Sequence, residues 1–232
     1  MTRRLAVEQA VELIVDGKGV FKPTQTSRIL ATEALKYALP ATKILDLGCG
    51  SGVVGLELAH HLAGNGRFFF SDLSQGAIDV TTKNLAKLGF VGEVRQGSIF
   101  EPWVGENFDL IVSDVSGVIP DIGLLLGWFK DIPNDSGPGG NVLLDAVIGQ
   151  AKGFLAPDGV LLVPLISLSD EEASLERMRA EFGGISKLSE TALPLGLSGP
   201  EVERFAEEHP SIRIKSIFNV GYFFTSVYAL KN

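Results

Sequence analysis

Ile44-Leu45-Asp46-Leu47-Gly48-Cys49-Gly50-Ser51-Gly52 constrains this chain more than any other stretch. An apolar strand pattern runs directly into three alternate glycines, and an amphipathic run from Val53 to Leu62 follows at once. Glycine at those places allows a tight turn and lets a ligand approach the main chain without meeting a Cβ. The following helix aims its unpaired N–H groups and positive dipole end at the same point. Such a turn suits a nucleotide-like ligand carrying polar or anionic groups.

The rest of the chain alternates strand and helix signals, which predicts a mostly parallel α/β sheet with helices on both faces. Strands are expected over residues 43–47, 67–71, 91–96, 108–113 and 160–166, and two more over 185–193 and 220–230 bring the count to seven. Helices are expected over 5–15, 24–39, 53–62, 75–88, 141–154 and 170–182. Two segments interrupt the alternation: a turn-rich loop at 130–141, and 196–218, which carries an extra helix at 200–208. Ligands in open α/β sheets sit beyond the carboxyl ends of the parallel strands. Both insertions are therefore expected as lids. The organisation expected is an N-terminal helical lid segment over 1–40 and one ligand-binding domain over 41–232, with cap insertions near 130–141 and 196–218.

Length and composition set bounds on function. At 232 residues with 45% apolar side chains, the chain suffices for one large domain with a buried core. A net charge of −8 speaks against a sequence-independent nucleic-acid binder, which needs a basic face. One cysteine, Cys49, excludes an internal disulfide, and with three scattered histidines no metal site is expected. Cys49 reads as a small loop residue rather than a nucleophile. No early apolar run resembles a secretory leader and no apolar stretch approaches membrane-spanning length, so a cytoplasmic protein is expected. The oligomeric state is left open.

The glycine spacing is Gly-x-Gly-x-Gly, with Asp46 two residues before the first glycine; a dinucleotide fingerprint would read Gly-x-Gly-x-x-Gly. This variant resembles the first motif of class I S-adenosylmethionine (SAM)-dependent methyltransferases. The resemblance implies their Rossmann-like seven-stranded sheet, mostly parallel with an antiparallel last strand, and SAM as cofactor. Gly48, Gly50 and Gly52 then form the cofactor loop, with the Gly48 carbonyl suited to the methionine ammonium. Asp46 either fixes that loop or meets the ammonium through water; a carboxylate satisfied only by backbone N–H groups is the alternative. Asp72, ending the second strand beside Leu73, falls where the family places a carboxylate on the ribose hydroxyls, although it could instead cap the next helix. Gln96-Gly97-Ser98-Ile99-Phe100 matches the adenine-contacting turn, with Ser98 replacing the usual Asp and adenine resting on Ile99 and Phe100.

Upstream, Gly19-Val20-Phe21-Lys22-Pro23-Thr24-Gln25 looks like the Gly-Val-Phe-x-Pro segment of glutamine N5-methyltransferases that act on release factors. That likeness implies a segment folded over the cofactor, with Phe21 covering the adenosine and Thr24 or Gln25 bonding the methionine carboxylate. Thr24 equally reads as a helix cap. Those enzymes carry a sizeable substrate domain ahead of this segment, whereas this chain has about twenty residues there. A large protein partner is accordingly not expected. At the fourth strand Phe108-Asp109-Leu110-Ile111-Val112-Ser113 matches the same group, which continues Asn-Pro-Pro-Tyr-Ile-Pro. This chain continues Asp114-Val115-Ser116-Gly117, so the amide- or base-clamping prolines and aromatic platform are gone. Asp114 and Ser116 are the candidate catalytic residues, with Asp114 also facing the cofactor. Its carboxylate could accept from, orient or deprotonate an ammonium; the bland alternative is that both only shape the strand-end turn.

Three activities fit these residues. The first is methyl transfer to a small molecule, with no nucleic acid, no membrane and no partner beyond the substrate. The second is cyclisation of the methionine part of SAM to azetidine-2-carboxylate with release of methylthioadenosine, as in some natural-product pathways. The third is SAM binding without catalysis.

Overall fold

A computed structural model describes residues 13–115, 117–128 and 136–232. The chain alternates as α1 (Gln25–Ala34), β1 (Lys43–Leu47), α2 (Val53–His61), β2 (Arg67–Asp72), α3 (Gln75–Leu88), β3 (Gly92–Gln96), β4 (Phe108–Ser113), α4 (Pro120–Leu126), α5 (Val142–Ala151), β5 (Leu155–Ile166), α6 (Glu171–Glu181), β6 (Gly184–Ser198), α7 (Gly199–Glu208), β7 (Ile214–Ile217) and β8 (Val220–Lys231). The sheet runs β3-β2-β1-β4-β5-β8-β6, parallel from β3 through β5 and antiparallel at β8.

Successive residues of a strand point to opposite faces, and here both faces are buried. Ile44, Leu110, Val112 and Leu162 pack with α1 and α2, while Leu45, Ile111, Leu161 and Val163 pack with α5 and Met178 of α6. That explains why the central strands read as continuous apolar runs rather than as alternating ones. The parallel register leaves the carboxyl ends of β1, β2, β3 and β4 side by side. Gly48, Ser74, Gly97 and Asp114 all follow from that edge.

Two departures from the sequence expectation matter. The sheet has eight strands, not seven: β7 is four residues long and pairs with β8 at Ile214↔Phe223 through Ile217↔Val220. It fits because β5 stops pairing at Ile166↔Thr225, which leaves the outer end of β8 with an open edge. Ser167 makes the corner, accepting from Arg213 N–H at 2.7 Å through its carbonyl and from Phe224 N–H at 2.8 Å through its hydroxyl. The second departure is α4, which was not expected after the fourth strand. Its residue Ile122 and the preceding Ile119 join Val202, Phe205, Ile212 and Phe223 in a third apolar cluster. The 196–218 insertion is thus packed through this cluster against α4 and β8.

The expected first helix lies largely outside the described residues, and α1 ends at Ala34 rather than continuing to residue 39. Of the 130–141 loop, residues 130–135 lie outside the described residues. The remainder is fastened to the chain beyond β4, where Ser136 Oγ donates to the Val118 carbonyl at 3.0 Å. Among the described residues no helix is long and apolar enough to cross a membrane.

Candidate functional site

The glycine loop leaves β1 with Gly48 at φ +72°, and both Gly48 and Cys49 donate N–H to the Ser71 carbonyl, at 2.8 and 2.9 Å. A Cβ on Gly48 would lie 2.9 Å from Val115 Cγ1, so the position excludes a side chain on steric and conformational grounds together. Thr81 Oγ1 donates to the Gly50 carbonyl at 3.1 Å, and Asn84 Nδ2 to the Ser51 carbonyl at 2.9 Å. The loop is therefore held from α3 as well as from β2.

Around it lies a cavity of about 190 Å³ lined by Phe21, Asp46, Gly48, Gly50, Asp72, Leu73, Ser98, Ile99 and Asp114. Asp72 accepts from Gly50 N–H at 2.9 Å on one oxygen and from Ser74 N–H at 2.8 Å on the other. Ser74, not Asp72, caps α3 by accepting from Ala77 N–H. Ile99 has φ +46°, strained for a β-branched residue. That turn sends Phe100 away: it is fully buried and stacks on Phe154 at 4.5 Å. The expectation that Phe100 supports the adenine is corrected, since Phe100 belongs to the core beneath the turn.

Three carboxylates face this space. Asp46 is buried, accepts from Gly55 N–H at 2.8 Å, and is pushed up to about 8 by burial, with Asp114 and Asp72 adding to the rise. Burial raises Asp72, and lifts Asp114 to about 6 against a bond from Ser27. Lys22 is the cationic residue in the lining, but it is exposed and paired with Asp16 at 2.8 Å. Buried carboxylates without a buried cation favour a positively charged guest. The Ser51 hydroxyl is buried in the same lining without a partner among the described residues. Cys49 is held as a thiol, its pKa raised by burial.

A second cavity, of about 690 Å³, adjoins the first. Its walls are Val118, Trp128, Ile166, Leu193, Pro194 and Phe223. Gly19, Phe21, Lys22, Pro23 and Asp114 line both cavities. Thr24 and Gln25, expected at the methionine carboxylate, instead line the second cavity. Thr24 also caps α1, accepting from Thr26 N–H at 3.1 Å and Ser27 N–H at 3.4 Å. Ser116 lies outside the described residues. Among those described, no cluster of His, Cys, Asp and Glu could hold a metal ion. The sequence reading missed Ser27, whose hydroxyl donates to Asp114 Oδ2 at 2.5 Å.

A family described as "Methyltransferase domain" matches residues 39–206. The chain belongs to this family. The chain is 31% identical over 151 residues to the release factor glutamine methyltransferase of Geobacter sulfurreducens, covering 63% of this chain and 53% of that protein. It is 32% identical over 123 residues to the ribosomal protein L11 methyltransferase of Thermosipho africanus, covering 53% and 44%. It thus spans about half the length of these curated relatives. Among solved structures, the precorrin-6y C5,15-methyltransferase of Geobacter metallireducens superposes with a TM-score of 0.59 at 15% identity, over 94% of each chain. The Thermus thermophilus 16S rRNA N2 G1207 methyltransferase, in complex with AdoMet and guanosine, gives 0.58 at 17%, over 93% of this chain and 45% of that one. At those identities the likeness is one of fold.

The first cavity fits SAM, the cofactor that goes with this family: a Cβ-free cradle at Gly48, the Asp72 carboxylate at the end of β2, and buried carboxylates suited to a sulfonium and an ammonium. One expectation is overturned. A small-molecule acceptor without protein or nucleic-acid partners does not agree with curated relatives named for release factor, ribosomal protein L11 and ribosomal RNA.

Proposed function

We propose that this enzyme methylates a nitrogen of a macromolecule, an amine presented by a protein side chain through the second cavity. The observation that carries the reading is Asp114, which belongs to the linings of both cavities. Bound SAM supplies an electrophilic methyl carbon on sulfur and departs as the neutral thioether. The protein's part is orientation, exclusion of water and removal of a proton. Asp114 accepts from the incoming ammonium and takes its proton; the freed nitrogen lone pair then forms the new N–C bond as the S–CH3 bond breaks and its electrons stay on sulfur. A carboxyl near 6 is suited to that exchange close to neutral pH. The Gly19–Pro23 segment lies between the two spaces, with Phe21 at the cofactor and Thr24 and Gln25 toward the acceptor.

An acceptor cavity larger than the cofactor cavity supports an intermolecular reaction, since cyclisation of the methionine part needs no second space. The acidic balance of the chain, −8, favours a protein acceptor over a polyanion.

The test incubates purified enzyme with methyl-labelled SAM and, separately, ribosomal proteins, ribosomal RNA or no acceptor. Label in protein is expected, and Asp114→Asn should lower its rate by about 10²–10⁴ with SAM still bound. Label in RNA, or methylthioadenosine formed from SAM alone, would overturn the reading, as would unchanged turnover in Asp114→Asn.

A further inference from the structure

The N-terminus of α1 is built as a double hydrogen-bonded device, and only half of it concerns the helix. Thr24 Oγ1 accepts from the N–H groups of Thr26 and Ser27, while Thr24 N–H donates back to Ser27 Oγ at 3.2 Å. A reciprocal cap of this kind normally uses Glu or Gln at the third helical position, whose side chain reaches back to the cap N–H. Serine there has a hydroxyl proton left over, and Ser27 donates it to Asp114 Oδ2, 87 residues away, at 2.5 Å. Ser27 is 3% exposed, so water does not compete for the bond. No described residue bonds Asp114 Oδ1. Among the described residues, the other charged groups lining the two cavities are Asp46 from β1, Asp72 from β2, Lys22, which is paired with Asp16, and Lys18, which lines the second cavity.

We propose that Ser27 is the positioning residue of Asp114: its hydroxyl, oriented by the Thr24 N–H, occupies Oδ2 and leaves Oδ1 as the oxygen that meets the acceptor. This rests on the reading of Asp114 given above and adds how the carboxylate is aimed. The chain Thr24 N–H, Ser27 O–H, Asp114 joins the segment over the two cavities to the reacting group. The Asp114 carboxylate is therefore held in one rotation only while that segment and α1 are docked. A single donated bond also stabilises the ionised carboxylate, because it is charge-assisted and shielded from water.

The experiment is a carbon-13 carboxyl titration of the full chain, with the Asp114 signal assigned by its loss in Asp114→Asn. Ser27→Ala, which keeps the helix but removes the donor, should raise the Asp114 midpoint by about one unit. Ser27→Thr, which retains a hydroxyl, should keep the wild-type midpoint. In the labelled-methyl assay, Ser27→Ala should lower kcat by at least about tenfold, with the KM for SAM unchanged, and Ser27→Thr should restore it. A midpoint that does not move in Ser27→Ala, or moves equally in Ser27→Thr, would overturn the proposal. The titration needs no acceptor. A shifted midpoint in an enzyme that labels no protein would therefore support Ser27 while removing the acceptor reading.

Discussion

SAM binding should strengthen steeply with pH, and Asp46 is the reason. Its carboxyl is buried and, in the free protein, pushed up to about 8 by burial, so at pH 6 it carries a proton. A sulfonium and an ammonium placed in the adjoining cavity favour the ionised form and pull that pKa down. Binding then releases a proton, and each unit of pH below 8 weakens the observed affinity by about tenfold. Between pH 6 and 7.5 the expected gain is about 25-fold, or about 2 kcal/mol, because the slope flattens close to pH 8. The ligand's own amino group titrates near ~8, so it stays largely charged across this window. Asp114, lifted to about 6, steepens the curve further below that pH.

The same shift fixes a sign for stability. A carboxyl whose folded pKa lies above its unfolded value makes the folded state prefer the proton. The free protein should accordingly lose stability from this group as pH rises from about 4 towards 8. SAM should offset that loss, so its thermal stabilisation should be larger at pH 7.5 than at pH 6. Asp46→Asn keeps an oxygen for the Gly55 N–H while removing the titration. Calorimetry at closely spaced pH values, in buffers of differing ionisation enthalpy, reads both affinity and proton release. A flat wild-type profile between pH 6 and 7.5, or an Asp46→Asn profile as steep as the wild type's, would refute the reasoning.

Two further substitutions test the supports of the site. Gly48→Ala places a Cβ 2.9 Å from Val115 Cγ1 at φ +72°, and should destabilise by about 1–2 kcal/mol while lowering SAM affinity by more than tenfold. A melt combined with calorimetry reads both, and wild-type SAM affinity would mean that the loop does not form the cradle. Thr225→Val removes the partner of the buried Thr26 Oγ1 at 3.1 Å, the bond tying α1 to β8, and should cost about 1–2 kcal/mol in urea denaturation.

The cofactor half of the site was legible because its determinants are contiguous or fall at strand ends. Residues 43–62 specify strand, turn and helix within one window, and Asp72 and Ser98 follow from where β2 and β3 stop. Phe100 was misplaced because a pattern of residue types does not report that Ile99 adopts φ +46°, and that one torsion turns the next side chain into the core. β7 was missed because four residues carry almost no period, and its existence depends on an edge of β8 that β5 leaves open.

The acceptor half was poorly legible for a different reason. Its walls come from Val118, Trp128, Ile166, Leu193 and Phe223, five places brought together only when α4, β6 and β8 pack into the third apolar cluster. No local pattern distinguishes those residues from ordinary core. Ser27 shows the same limit at a single atom: in sequence it is a serine in a run of Thr and Gln, and only the docking of α1 against the end of β4 sets it against Asp114. The conserved chemistry of a cofactor is written in a short contiguous stretch, whereas the choice of acceptor is distributed over residues that tertiary packing assembles. That asymmetry is why the expectation of SAM agreed with the family and the expectation of a small-molecule partner did not.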